Sequence, residues 1–168
     1  LFGNNITREN VIRNAFIVDE GDAFNKILFN KSLNVLRSKN IFKSVNSKII
    51  EGSEANLKIL EITIEEKATG EISAGAGVGT SGGQIGVGIK ENNYLGKGIK
   101  LNTDLTVSSE SITGKFSINN PNFNNSDHSL FTEISSQETD KLADFGYKST
   151  KSSLSFGSNF EKYENLYF

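Results

Sequence analysis

Residues 73–90 read SAGAGVGTSGGQIGVGIK, and within them Gly77, Gly79 and Gly82 match the phosphate-cradling pattern GxGxxG. That pattern holds a dinucleotide only where a strand, a glycine turn and a helix follow one another, because the helix N-terminus supplies the N–H groups that meet the pyrophosphate. Here GQIGVGIK follows, which alternates at period two and has no helical face. The stretch reads instead as two strands. On the first, Ile72, Ala74, Ala76 and Val78 face one way, and Glu71, Ser73, Gly75, Gly77 and Gly79 the other. On the second, Ile85, Val87 and Ile89 oppose Gln84, Gly86, Gly88 and Lys90.

The same alternation continues downstream. Ile99, Leu101, Leu105 and Val107 oppose Lys100, Asn102, Asp104 and Thr106; Ile112, Phe116 and Ile118 oppose Thr113, Lys115, Ser117 and Asn119. A fifth segment carries Leu130, Thr132 and Ile134. A sixth has Phe145 and Tyr147 on odd positions but Leu154, Phe156 and Phe160 on even ones, which predicts a bulge near residues 150–152. Breaks are expected at residues 80–83, 108–111 and 138–142. Segments about ten residues long, apolar on one face and separated by turn residues, are the pattern of a transmembrane β-barrel. The soluble alternative is a β-sandwich or lipocalin-like barrel with its apolar face inward. The polar faces carry mostly small residues, as a barrel lumen requires. Tyr94, Phe123, Tyr163, Tyr167 and Phe168 fall near turns on one side, and two readings stay open for them, an interfacial girdle and plain turn packing.

The first half differs. Four of the sixteen glycines occur up to Gly70 and twelve after it, so a domain boundary is placed at Thr69 and Gly70. Thr7 is a candidate cap for a helix through Phe16 with Val11, Ile12, Ala15 and Phe16 on its apolar face. The residues Glu20, Gly21 and Asp22 read as a turn. Asp22 is a candidate cap for a second helix, where Phe24, Leu28, Phe29, Leu33 and Leu36 recur at helical spacing through Lys39. IFKSVNSKII and LKILEITIEE then read as two antiparallel strands. Helix, helix, strand, strand gives a small α+β layer with a core but no cleft.

Composition removes whole function classes. A formal charge of −2 and no Lys/Arg stripe leave nucleic acid without a binding surface. There is no cysteine and only His128 among histidines, so thiolate and His-based metal sites are excluded. No metal and no cofactor is expected. Glu65 and Glu66 are neighbours on a strand and point to opposite faces, so they read as a solvated strand end rather than an acid–base pair. His128 reads as a surface histidine in a turn. No nucleophile, base and orienter assemble, and an enzyme is not expected. No apolar run approaches the ~20 residues of a membrane helix. The abrupt start at LFGNNIT, without a secretory signal, suggests a fragment.

Several motifs, in order, resemble the BamA family of outer-membrane β-barrel assembly factors, whose members join periplasmic POTRA domains to a transmembrane barrel. The residues that carry the resemblance are Gly3 and Asn4, Thr7, Arg13, the turn at Glu20, Gly21 and Asp22, Arg37 and Ser38, and Phe42 and Val45. IEEKATGEISAGAGVGTSGG is similar to the family's entry into its first barrel strand, and NNYLGKG to its Asn-x-Leu-Gly-x-Gly periplasmic turn, here Asn93, Leu95, Gly96 and Gly98. Asn120, Pro121, Asn122 and Phe123 resemble the next such turn, where the family more often has an aromatic directly after Pro.

The resemblance implies the last POTRA domain over residues 1–69, with most of its first strand missing. It implies the first six or so strands of an outer-membrane barrel over residues 70–168, out of roughly sixteen. It further implies assembly and insertion of outer-membrane proteins in the bacterial outer membrane, the POTRA domain lying in the periplasm. Its implied partners are nascent outer-membrane proteins, periplasmic lipoprotein subunits and outer-membrane lipid. A substrate strand would pair along Ile72, Ser73, Ala74, Gly75, Ala76, Gly77, Val78 and Gly79, and a partner along the POTRA edge at Ile41, Phe42 and Val45. The glycines would either loosen that first strand or simply make room in a narrow lumen. The alternative within the superfamily is a two-partner-secretion transporter; a passive porin fits the POTRA pattern poorly.

Overall fold

The structure, a computed structural model of the 168-residue chain, describes all of it except residues 55–56, 80–81, 127, 142–146 and 161–168. At residues 139–141, 147–149, 156 and 158–160 it describes the backbone alone. Contacts divide the chain into two units, Leu1–Thr69 together with Asn93–Gly98, and Gly70–Asn92 together with Ile99–Phe168.

In the first unit α1 (Glu9–Arg13) and α2 (Lys26–Ser38) pack on one face of a hairpin, β1 (Phe42–Glu51) and β2 (Lys58–Glu66). The helical spacing of α2 buries Phe29, Leu33 and Leu36 against Val11, Ile12, Ile41, Val45, Ile62 and Ile64. Phe16 and Phe24 tilt against Phe29, with ring centroids 6.1 and 6.0 Å away. Phe2 adds a third, parallel partner beside Thr63, its N–H donating to the Ile62 carbonyl at 2.9 Å and its carbonyl accepting from Ile64 at 3.0 Å.

Both expected helix caps are corrected. α1 is one turn, ends at Arg13 rather than Phe16, and follows Arg8, with no side-chain cap. Asn25 caps α2, its Oδ1 accepting from Ile27 and Leu28 at 2.9 and 3.2 Å. Asp22 instead closes the preceding turn by accepting from the Asp19 N–H at 3.0 Å. Arg13 bonds Glu9 and Glu20, both at 2.7 Å, which ties the motif arginine to the Glu20 turn.

The second unit is one antiparallel sheet in chain order: β3 (Gly70–Gly79), β4 (Gly82–Tyr94), β5 (Ile99–Ser108), β6 (Ser111–Asn120), β7 (His128–Lys141) and β8 (Tyr147–Phe160). Register gathers the predicted apolar faces onto one side. Ile72 pairs with Ile89, Ala74 with Val87 and Ala76 with Ile85; further on come Leu101 with Ile118, Phe116 with Ile134, and Ile134 with Leu154. The other side collects small and polar partners, Ser73 with Gly88, Gly75 with Gly86 and Asn102 with Ser117, and an ion pair of 2.9 Å between Lys115 and Glu133.

Three further expectations change. β7 and β8 pair without interruption from His128 opposite Phe160 to Lys141 opposite Tyr147, so no bulge interrupts residues 150–152. Above Leu154 the apolar face carries Ser152 and Thr150, so the parity of aromatics there carries no register information. Glu138 lies inside β7 rather than in a break, and His128 opens that strand rather than sitting in a turn. Tyr94 and Phe123, both exposed, stand beside the β4–β5 and β6–β7 connections. Phe145, Tyr163, Tyr167 and Phe168 lie outside the described residues.

Leu36 is 0 % and Ile27 79 % exposed on the same helix. Leu36→Ala is expected to lower the stability of the first unit by about 3 kcal/mol, and Ile27→Ala by under ~0.5 kcal/mol. Denaturant titration followed by the helical circular-dichroism signal measures both.

Candidate functional site

The residues that the sequence marks fall on two strand edges and one buried turn. The first edge is β3, which ends the six-stranded sheet, so along one side it has no strand partner in that sheet. Its side chains are exposed throughout, Ile72 at 78 % and Val78 at 92 %. A Cβ added at Gly75 or Gly79 would meet nothing within 4 Å, and at Gly77 only the Gln84 side chain at 3.7 Å. These glycines are therefore not imposed by the neighbours the structure gives them. What they change is the backbone: glycine within a strand lowers its stability by roughly 0.5–1 kcal/mol per position.

The second edge is β1. Phe2 occupies Ile62 O and Ile64 N on the far side of β2, so the N–H and C=O of Thr63 point toward β1 and its register partner Asn46. Alternation along an antiparallel strand then turns the backbone groups of Val45, Ser47, Ile49 and Glu51 outward. Arg37 covers the first of these, its Nη2 donating to the Val45 carbonyl at 3.0 Å. The exposed part of the edge begins at Ser47. Ile41, Phe42 and Val45 are at most 8 % exposed and belong to the core, so a strand added here meets β1 through backbone rather than through those side chains.

The turn between β4 and β5 is built into the first unit. Asn93 and Thr7, 86 positions apart, are both buried, and Asn93 Nδ2 donates to Thr7 Oγ1 at 2.8 Å. Asn93 Oδ1 accepts from the Gly98 N–H at 2.8 Å, and the Gly96 carbonyl accepts from the Arg8 N–H at 2.8 Å. Gly96, at φ 68°, packs so closely that a Cβ there would lie 2.0 Å from the Ile6 carbonyl oxygen. Only glycine fits both the left-handed backbone and the approach. Leu95 alone of the motif points out, at 63 % exposure.

Below Thr7 sits Glu66. Its Oε2 accepts from the Asn5 and Ile6 N–H groups at 2.9 and 2.8 Å, and its Oε1 from the Thr7 N–H at 2.6 Å. The Thr7 hydroxyl donates to the same carboxylate. Burial raises the Glu66 pKa, but the donors from residues 5–7 outweigh it and hold the carboxyl below the usual carboxylate range. The expectation of a solvated strand end holds for Glu65, which pairs with Lys43 at 2.6 Å, and fails for Glu66. Thr7, expected as a helix cap, is instead the hinge between Glu66 and Asn93. The motif marks both Thr7 and Asn93, but no local spacing signals that they meet.

The chain is similar to known proteins over part or most of its length. Residues 1–67 match POTRA, described as "Surface antigen variable number repeat". The chain is 31 % identical over 114 residues to a Treponema pallidum protein named "Putative outer membrane protein assembly factor", covering 64 % of this chain and 14 % of that one. It is 28 % identical over 130 residues to "Outer membrane protein assembly factor BamA" of Nitratidesulfovibrio vulgaris, covering 76 % and 16 %. The chain thus spans about a seventh of the length of these relatives. Among solved structures, BamA from Haemophilus ducreyi lacking POTRA domains 1–3 superposes with a TM-score of 0.77 at 23 % identity, over 94 % of this chain and 30 % of that one. CdiB from Acinetobacter baumannii gives 0.55 at 13 % identity, over 94 % and 32 %.

Because the Glu66 pKa is depressed, its contribution to stability is present above the unfolded value of about 4.3 and is lost as pH falls through the folded value. The first unit should therefore unfold at progressively lower temperature as pH falls below about 4.3, and Glu66→Gln should flatten that limb more than Glu65→Gln does. Equal flattening by the two variants contradicts the assignment.

Proposed function

Proceeding from a chain whose residues 1–67 are a POTRA domain and whose remainder is similar to the opening strands of a BamA-type barrel, we propose that it takes part in inserting β-barrel proteins into the bacterial outer membrane, by templating substrate strands along β3. The observation that carries this reading is β3 itself: a glycine-rich first strand joined to an apolar face that no second layer covers among the described residues. A face of that kind suits lipid.

In lipid, each unpaired N–H or C=O costs several kcal/mol, so a substrate strand enters far more readily when an edge offers partners for its backbone groups. β-augmentation on β3 would supply them, main-chain bonds giving affinity and alternate side chains giving register. The work is done by binding and position, with no catalytic group, metal or cofactor. Gly75, Gly77 and Gly79 would keep the edge pliable enough to exchange one partner strand for another. The POTRA unit would lie in the periplasm and bind an accessory lipoprotein or a nascent chain along residues 47–51 of β1, beyond the carbonyl that Arg37 occupies.

Ala74→Pro and Gly75→Pro test the template in cells that depend on the variant. Backbone direction alternates, so one of the two prolines removes an N–H from the open side of β3 and leaves the β3–β4 ladder intact. Both are expected to reduce outer-membrane protein assembly severalfold at unchanged expression; normal assembly with both would refute the template. Ala in place of Gly75, Gly77 and Gly79 together should stiffen β3 by about 0.5–1 kcal/mol per position and slow assembly without loss of the folded sheet. Heat-modifiability of substrate barrels on gels reads both outcomes.

A further inference from the structure

A threonine hydroxyl has one proton, and that fact orients the buried bonds around Thr7. Its hydroxyl donates to the Glu66 carboxylate, which has no proton to give when ionised. The oxygen is then an acceptor toward its other neighbour, so Asn93 must present its amide nitrogen, at 2.8 Å. With the nitrogen committed, Asn93 Oδ1 faces the Gly98 N–H, at 2.8 Å, and closes the turn on itself. The bonds run in one direction from turn to carboxylate. An amide rotated by half a turn would set the Asn93 oxygen against a lone pair of Thr7 and its NH2 against the N–H of Gly98.

We infer that Glu66 is a positioning residue that acts through the Thr7 hydroxyl to fix the orientation of the Asn93 amide, and thereby seats the Asn93–Gly98 turn on the α+β unit. The carboxylate also gathers the N–H groups of residues 5–7, which sets the Ile6 carbonyl against Gly96 and the Arg8 N–H on the Gly96 carbonyl. The cationic groups on the segments that meet here do not compete for it. Lys43 is engaged with Glu65 at 2.6 Å and Lys67 with the Asn40 side chain at 2.7 Å, and among the described residues neither Arg8 nor Lys97 forms an ion pair with Glu66. Because the turn is the covalent link between β4 and β5, the relay joins a loop of the barrel sequence to a POTRA carboxylate by polarity as well as by fit. The inference stands apart from the assembly reading, since it is measured in the resting protein.

The test reverses the polarity. Hydrogen exchange is followed at the Arg8 and Gly98 amides of the full chain in detergent micelles, with α2 amides reporting that the unit stays folded. Glu66→Gln and Asn93→Asp are each expected to speed exchange at both amides about tenfold or more, whereas Glu65→Gln leaves it unchanged. In the double variant the amide introduced at 66 donates to Thr7 Oγ1, whose proton turns to the carboxylate introduced at 93. The relay is then rebuilt in the opposite sense, and exchange is expected to be about fivefold slower than the product of the single effects. Thr7→Ser should retain protection and Thr7→Val should lose it. Unchanged exchange in Glu66→Gln, multiplicative behaviour of the double variant, or full protection in Thr7→Val would each overturn the inference. If Thr7→Val unfolds α2, the Glu66 and Asn93 cycle decides alone.

Discussion

The Thr7 hydroxyl is the point at which the turn at Asn93 is bonded to the rest of the first unit. It is buried, it receives a bond from Asn93 and gives one to Glu66, and through those two it holds segments from three distant parts of the chain. A buried polar group without partners costs ~1–3 kcal/mol, so such a hydroxyl specifies its surroundings more sharply than an apolar side chain of equal size. Gly96 shows the consequence: with the turn seated, its backbone has no room for a Cβ against Ile6.

A different constraint governs the second unit. A strand alternates faces, and antiparallel register adds those faces across the sheet, so six modest patterns become one continuous apolar surface opposite one small, polar surface. Pairing satisfies the backbone groups between neighbouring strands among the described residues. β3 is the glycine-rich first strand of this sheet, and the proposed function rests on its backbone rather than on any side-chain chemistry. β1 offers a shorter edge of the same kind, limited by Arg37 at one end.

Much of this was legible in the residues. Phe29, Leu33 and Leu36 at helical spacing, Ile62 and Ile64 at strand spacing, and the alternation from Ile72 to Ile134 gave elements, faces and order, because each rests on the local periodicity of burial. The caps were less legible. Asp22 and Asn25 are both acceptable cap residues, and which one serves depends on where the chain turns onto the core. The expected bulge in β8 came from treating Tyr147 as a member of the apolar face, although that face has already become polar at Ser152 and Thr150.

By itself the sequence determined the division into a helical α+β segment and a run of alternating strands, and the faces of those strands. These follow from spacing and residue type, which are local. Only the tertiary structure decided that Glu66 is a hydrogen-bonded anchor while Glu65 is a surface ion pair, that Thr7 meets Asn93 across 86 positions, and that Ile41, Phe42 and Val45 serve the core while the exposed edge begins at Ser47. Their common reason is that a polar group's role is set by the partner it finds on burial, and that partner is chosen by the path of the whole chain.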